Sequence, residues 1–284
     1  MFSGFMMNAW IVASIVAVVA GVVGFFVVAR GSAFAAHALP QSAFTGAAAA
    51  YLIGISTVYG MGAFALASAL GIAWLGRRGR HDVVTALILV MLLGLGELFL
   101  SYSVEYAQAT YSLLFGEVLG VSTNEILPTA LLSVAAILAV TVVYRPLMFT
   151  SVLPEIGEAR GVRAYRMEVL FLLILALTTT ASVPVVGALL MFSLMVGPPA
   201  ASRCFTDNPP VAIALSVALA LMTVWASLAI AYERNWPVGF LVGTISAAVY
   251  VVGRMWAAWR RRRVVHLRSP GAQVEPGLVA TAGT

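Results

Sequence analysis

Apolar residues run in blocks of about twenty, and nearly every charge falls between the blocks. About twenty apolar residues carry a helix across a hydrocarbon layer. Backbone in lipid must pair within its own segment, so each block is predicted to be a helix. The blocks are Trp10–Ala29, Ala43–Ser56, Val58–Leu75, Val83–Tyr102, Pro128–Val143, Met167–Ala181, Val185–Ala201, Val211–Tyr232 and Val238–Trp259. Pro184 separates the sixth from the seventh. The second and third are short, and the second has room to begin earlier, so the count is eight or nine. The runs are continuous and rich in Ala and Leu, unlike the short alternating strands of a membrane barrel. The fold class is therefore an all-α polytopic membrane protein.

Composition strengthens this picture. The 284 residues are 62% hydrophobic and 10% charged, with a mean hydropathy of +1.00. A soluble domain of this size has no core able to hide so much apolar surface. The first run has no basic residue before Arg30 and no small-residue cleavage site, so it is expected to remain as a span.

The net charge of +5 is mainly an orientation signal. Arg30, Arg77–Arg80, Arg145, Arg160–Arg166, Arg203 and Arg260–Arg263 are expected on the cytoplasmic side. The connections near Glu105, Glu117, Glu125 and Glu233 then lie outside. Nine spans alternate consistently, with the N-terminus outside and the C-terminus inside; with eight, one parity breaks. Trp10, Tyr102, Trp236 and Trp259 sit where an interfacial belt belongs. Arg260–Arg263 reads as a stop-transfer signal beside anionic membrane lipid, with no nucleic-acid partner expected. Residues 1–265 form one permease-like domain, and 266–284 are expected to be a disordered cytoplasmic tail. Cys204 stands alone and receives no role.

Three stretches break the apolar pattern. Gly31–Gly46 holds His37, Pro40, Gln41, Ser42 and Thr45 and reads as a polar kink. At membrane depth such a stretch must face protein or a watery path. His37 and Gln41, four apart, share a face if the segment is helical, although Pro40 can place His37 before the helix begins. The alternative is that His37 marks the cytoplasmic interface. Glu97, inside a span, either lines a path or is protonated and bonded in helix packing. Residues 149–168 hold Pro154, Glu155, Glu158, Ala159, Arg160 and Gly161. Pro154 can start a short helix with both carboxylates in its first turn, and Gly161 can end it. This is either a cytoplasmic docking knob or an ordinary solvated loop. No Walker-type phosphate loop, HExxH or catalytic triad occurs, so no enzyme is expected and any energy comes from a gradient or a partner.

Four motifs in order resemble the permease subunit of ATP-binding-cassette importers for zinc, manganese and related divalent metals. They are Val185–Arg203, with its Val-Gly-x-Leu-Leu opening and Pro-Ala-Ala near its close; Leu114-Phe115-Gly116-Glu117-Val118-Leu119; Phe149–Gly161, where Thr150 stands for the family's Asp; and Trp236-Pro237-Val238-Gly239. The likeness runs from about Ala29 to Val252. In the polar stretch the family's path-lining Asp and His align with His37 and Gln41.

The resemblance implies a subunit of the bacterial cytoplasmic membrane with no ATPase site and no cofactor of its own. ATP would sit on a partner ATPase subunit, an extracytoplasmic metal-binding receptor would deliver the divalent metal, and a second permease copy would complete a homodimer. Residues 154–161 would couple the ATPase to the spans, and His37 and Gln41 would line the metal path, with His37 a ligand; Glu97 is a candidate for that path on its mid-span position alone. The alternatives are a permease for a metal chelate, an ion-gradient-driven transporter or channel using Glu97 and His37 as a relay, and a membrane scaffold.

Overall fold

The computed structural model describes residues 4–78, 81–102, 114–116, 120–152 and 163–267. Side chains are described within these ranges apart from a few at their ends. Among the described residues there are ten α-helices and no strand. They are α1 (Gly4–Ala29), α2 (Ala33–Ile53), α3 (Thr57–Leu75), α4 (His81–Ser101), α5 (Thr123–Val142), α6 (Tyr144–Val152), α7 (Ala164–Val186), α8 (Ala188–Phe205), α9 (Pro209–Arg234) and α10 (Val238–Leu267). The expected coupling residues Pro154, Glu155, Glu158, Ala159, Arg160 and Gly161 lie outside the described residues, as does the tail beyond Leu267.

Eight helices are long and apolar enough to cross a membrane on length and composition. The one long helix missing from that set is α2, whose polar residues dilute its hydropathy. Its two ends nevertheless lie at opposite faces of the bundle. Ser32 and Phe34 line a cavity of about 410 Å³ with Arg30, His81 and Glu168, on the arginine-rich side. Ser56, just past α2, lines a second cavity of about 320 Å³ with Glu125 and Pro184, on the other. Among the described residues eight helices can thus cross, and α2 runs between the same two faces without being apolar enough to count with them.

The polar stretch is not a kink outside the second span, as its composition suggested. Gly31 takes φ +69° in the turn after α1, and α2 then runs unbroken from Ala33 through Pro40 to Ile53. Pro40 removes one backbone donor but sits among buried neighbours, so no lipid meets the freed carbonyl. His37 is thus inside the helix, not ahead of it. Pro184 likewise does not end the sixth span: α7 continues to Val186, and the chain breaks at Gly187, with φ +82°. Gly187 packs backbone to backbone against Leu114–Gly116, and Gly116 has φ +74°. Pro128 lies inside α5 rather than at its start; the Ser122 N–H donates to Glu125 Oε2 (3.2 Å) one turn earlier.

The core is a shell of helices around α1, α2, α7 and α8. α1 packs on α9 and α8, α2 on α3 and α4, α7 on α3 and α5, and α8 on α10. Small residues set the closest crossing: a Cβ on Gly46 or on Gly60 would overlap the other residue's carbonyl. At another close contact, Ser216 Oγ donates to the Gly21 carbonyl (2.8 Å). The peripheral helices turn Leu87, Val90, Leu127, Leu131, Met222 and Met255 outward. Apolar surface on this scale is stable against lipid, not water.

Candidate functional site

α2 carries the polar side chains that a path needs. It is enclosed by α3, α4, α7 and α8, and nearly every residue from Ala35 to Ala50 is buried. Most of its polar groups are satisfied locally. Ser42 Oγ donates to the Ala38 carbonyl (3.0 Å), and Thr45 Oγ1 lies 3.2 Å from the Gln41 carbonyl and 2.6 Å from the Leu92 carbonyl on α4.

Two atoms are not satisfied. His37 Nδ1 and Gln41 Oε1 are both buried without a hydrogen-bond partner, and Gln41 is only 3% exposed. On one helix at this spacing their Cβ atoms stand about 5–6 Å apart. The His37 ring is held edge-on against Phe192 of α8, 4.9 Å between centroids. An unpaired buried polar atom costs about 1–3 kcal/mol, so two of them one turn apart are an expensive feature for a mere anchor. An imidazole nitrogen and an amide oxygen are both donor atoms for a divalent ion.

Glu97 is not part of this pair. α2 and α4 run parallel, with Phe34 near His81 and Thr45 near Leu92 and Gly96. In that register Glu97 lies nearer the outer face than Gln41 by about 10 Å and than His37 by about 16 Å. The structure therefore brings His37 and Gln41 together and leaves Glu97 half-buried at another level. Among the described residues, no three His, Cys, Asp or Glu side chains converge on one point.

The arginine-side cavity holds polar contacts that spacing along the chain does not reveal. Arg30 donates to Thr150 Oγ1 (3.0 Å) and Ser151 Oγ (3.3 Å) at the end of α6. Its guanidinium also lies 5.3 Å from the Phe171 ring centroid. Burial pulls the Arg30 pKa below the ordinary arginine value, while the Glu168 carboxylate acts in the opposite sense. His81 Nδ1 stands 3.0 Å from Glu168 Oε1, close enough to pair but poorly aligned for a hydrogen bond. Arg77 sits over Tyr165, 4.3 Å from the ring centroid. Only the arginines leave a sequence signal, and it reads as topology.

Eight apolar helices able to cross a membrane, packed with one polar and largely buried helix, define a polytopic membrane protein. Residues 3–257 match the model of the ABC 3 transport family, and the chain belongs to that family. It is thus a multi-pass permease subunit of an ATP-binding-cassette transporter in the bacterial cell membrane. It is 24% identical over 256 residues to the "Manganese transport system membrane protein MntC" of Listeria innocua, covering 89% of this chain and 91% of that one. It is 26% identical over 273 residues to the "Manganese import system permease protein ScaB" of Streptococcus pneumoniae, covering 94% and 95%. The solved structure "PsaBC from Streptococcus pneumoniae in complex with Fab" shares the fold, with a TM-score of 0.80, 23% identity, and coverage of 88% of this chain and 91% of that one.

Proposed function

We propose that the chain imports a divalent metal ion of the manganese or zinc type, with His37 and Gln41 as its transit ligands. The observation that carries this reading is the pair of buried, unpaired polar atoms His37 Nδ1 and Gln41 Oε1 on an enclosed helix. The names of the manganese permeases it resembles support the cargo. Two neutral donors suit transit, because a site must bind well enough to admit an ion and weakly enough to release it.

In this reading a receptor outside delivers the ion, and two permease copies enclose the path, each lending one α2. A cassette ATPase below binds and hydrolyses ATP, and this chain does not. The segment at 149–168 meets that ATPase. Glu97, some 16 Å from His37 along the bundle axis, is not its relay partner. The oxygen–nitrogen pair is less acidic than the Asp–His pair of the resembled family, so it draws a dication through ligation more than through charge.

The test is uptake of radioactive manganese and zinc by cells expressing the whole system. His37→Ala and Gln41→Ala each lower uptake several-fold while leaving membrane abundance unchanged. Uptake equal to the parent in both variants removes this pair from the path. Uptake of a metal chelate in place of the free ion would reassign the cargo.

A further inference from the structure

Residues 153–162 lie between two helices whose facing ends meet at one cavity, lined by Arg30, Thr150, Ser151, His81 and Glu168. Upstream, the last turn of α6 offers Thr150 and Ser151 to Arg30. Downstream, the first turns of α7 offer Tyr165 to Arg77 and Glu168 to His81. Arg30 sits at the turn between α1 and α2, whereas Arg77 and His81 flank the turn between α3 and α4. These turns adjoin α2 and two of the helices that α2 packs against, α3 and α4.

We propose that Arg30, with Thr150 and Ser151, is the tie that passes motion of the cytoplasmic segment to α2, and that His81–Glu168 and Arg77–Tyr165 anchor its other end. This rests on the reading that 149–168 meets the ATPase. Among the described α6 side chains Leu147 is buried in the core, Tyr144 and Met148 pack against it, and Tyr144 meets the Phe26 ring edge-on, so the start of α6 is held by apolar contact and its end by Arg30. Its two hydrogen bonds to Arg30 are charge-assisted, hence the stronger kind. From Arg30 only Gly31 and Ser32 intervene before α2, and His37 follows about one turn into that helix. A displacement of α6 reaches α2 most directly through the Arg30 side chain and a two-residue turn, beside the packing of α6 on α1, α5 and α7. On the far side Gly76 leaves room for the His81 ring, where any Cβ would overlap it. Arg30 is a positioning residue here, since it acts on the path through α2.

The experiment uses the complete complex in proteoliposomes and reads ATP hydrolysed per manganese ion transported. Arg30→Met keeps the buried stem and removes the donors. Thr150→Val with Ser151→Ala removes the acceptors without touching Arg30. Each is expected to keep ATP turnover near the parental rate while transport falls about fivefold or more, the usual size of a coupling between sites. Combining all three substitutions is expected to do no more harm than Arg30→Met alone, which already removes both hydrogen bonds. Parallel loss of ATP turnover and transport, unchanged transport, or multiplying effects would each overturn the proposal. A parent complex that takes up no manganese with ATP would instead fell the transport reading, and this proposal with it.

Discussion

Gly60 and Gly94 are both glycines inside long helices, and replacing each with Ala separates packing from propensity. Helix propensity alone predicts that both gain, by up to ~1 kcal/mol. Packing predicts opposite signs. A Cβ on Gly94 meets nothing within 4 Å, so Gly94→Ala keeps its gain. A Cβ on Gly60 overlaps the Gly46 carbonyl and lies 2.6 Å from the Ala50 Cβ. Carbon pairs rest at about 3.5–4.0 Å, so α2 and α3 must part by about 1 Å, forfeiting up to half the attraction of each contact they share. Overpacking of this kind costs about 1–3 kcal/mol, and a backbone carbonyl cannot swing aside, which places the cost near the top of that range. After the propensity gain, the net loss for Gly60→Ala is about 2 kcal/mol. For a chain of this size that lowers the unfolding midpoint by roughly 3–4 °C. Thermal unfolding of the two detergent-purified variants reads the difference directly. Equal midpoints would refute the claim that the Gly46–Gly60 crossing fixes α2 in the bundle.

Two further outcomes follow from the geometry. With Cys204 replaced by Ser, Ile55→Cys and Asn124→Cys are expected to react with a membrane-impermeant maleimide from outside, and Ser32→Cys only after permeabilisation; labelling of Ser32→Cys and Ile55→Cys from the same side would hold the chain to eight crossings. Gly187→Ala forces a side chain into φ +82° and into the backbone of Leu114–Gly116. It is expected to cost about 2–4 kcal/mol and to reduce membrane abundance, measured by immunoblot, whereas Gly243→Ala, whose added Cβ would make only ordinary contact, does neither.

Most of the fold was legible because lipid imposes a single rule on every span. Runs such as Val83–Tyr102 and Val211–Tyr232 needed only their length and bounding charges to be recognised. The errors fell at prolines. Pro40 and Pro184 read as breaks, yet both sit in continuous helices, and the Ala36 carbonyl freed by Pro40 is shielded by tertiary packing that leaves no local trace. Gly187 was the true break, because its left-handed backbone suits glycine and lets another backbone approach. His37 and Gln41 were legible as a pair from their spacing; that both are left unpaired required the packing of α2. The contacts of Arg30 with Thr150 and Ser151 span about 120 residues of sequence, and no periodicity could have joined them.

The sheltered polarity of α2 also bears on how the protein is made. As α2 leaves the ribosome, its Pro40, Gln41, Ser42 and Thr45 offer the translocon a poor candidate for release into lipid. The surfaces that cover those groups belong to α3, α4, α7 and α8, all of which are synthesised later. The placement of α2 is therefore secured by its successors, so insertion and tertiary assembly are not separable stages for this chain.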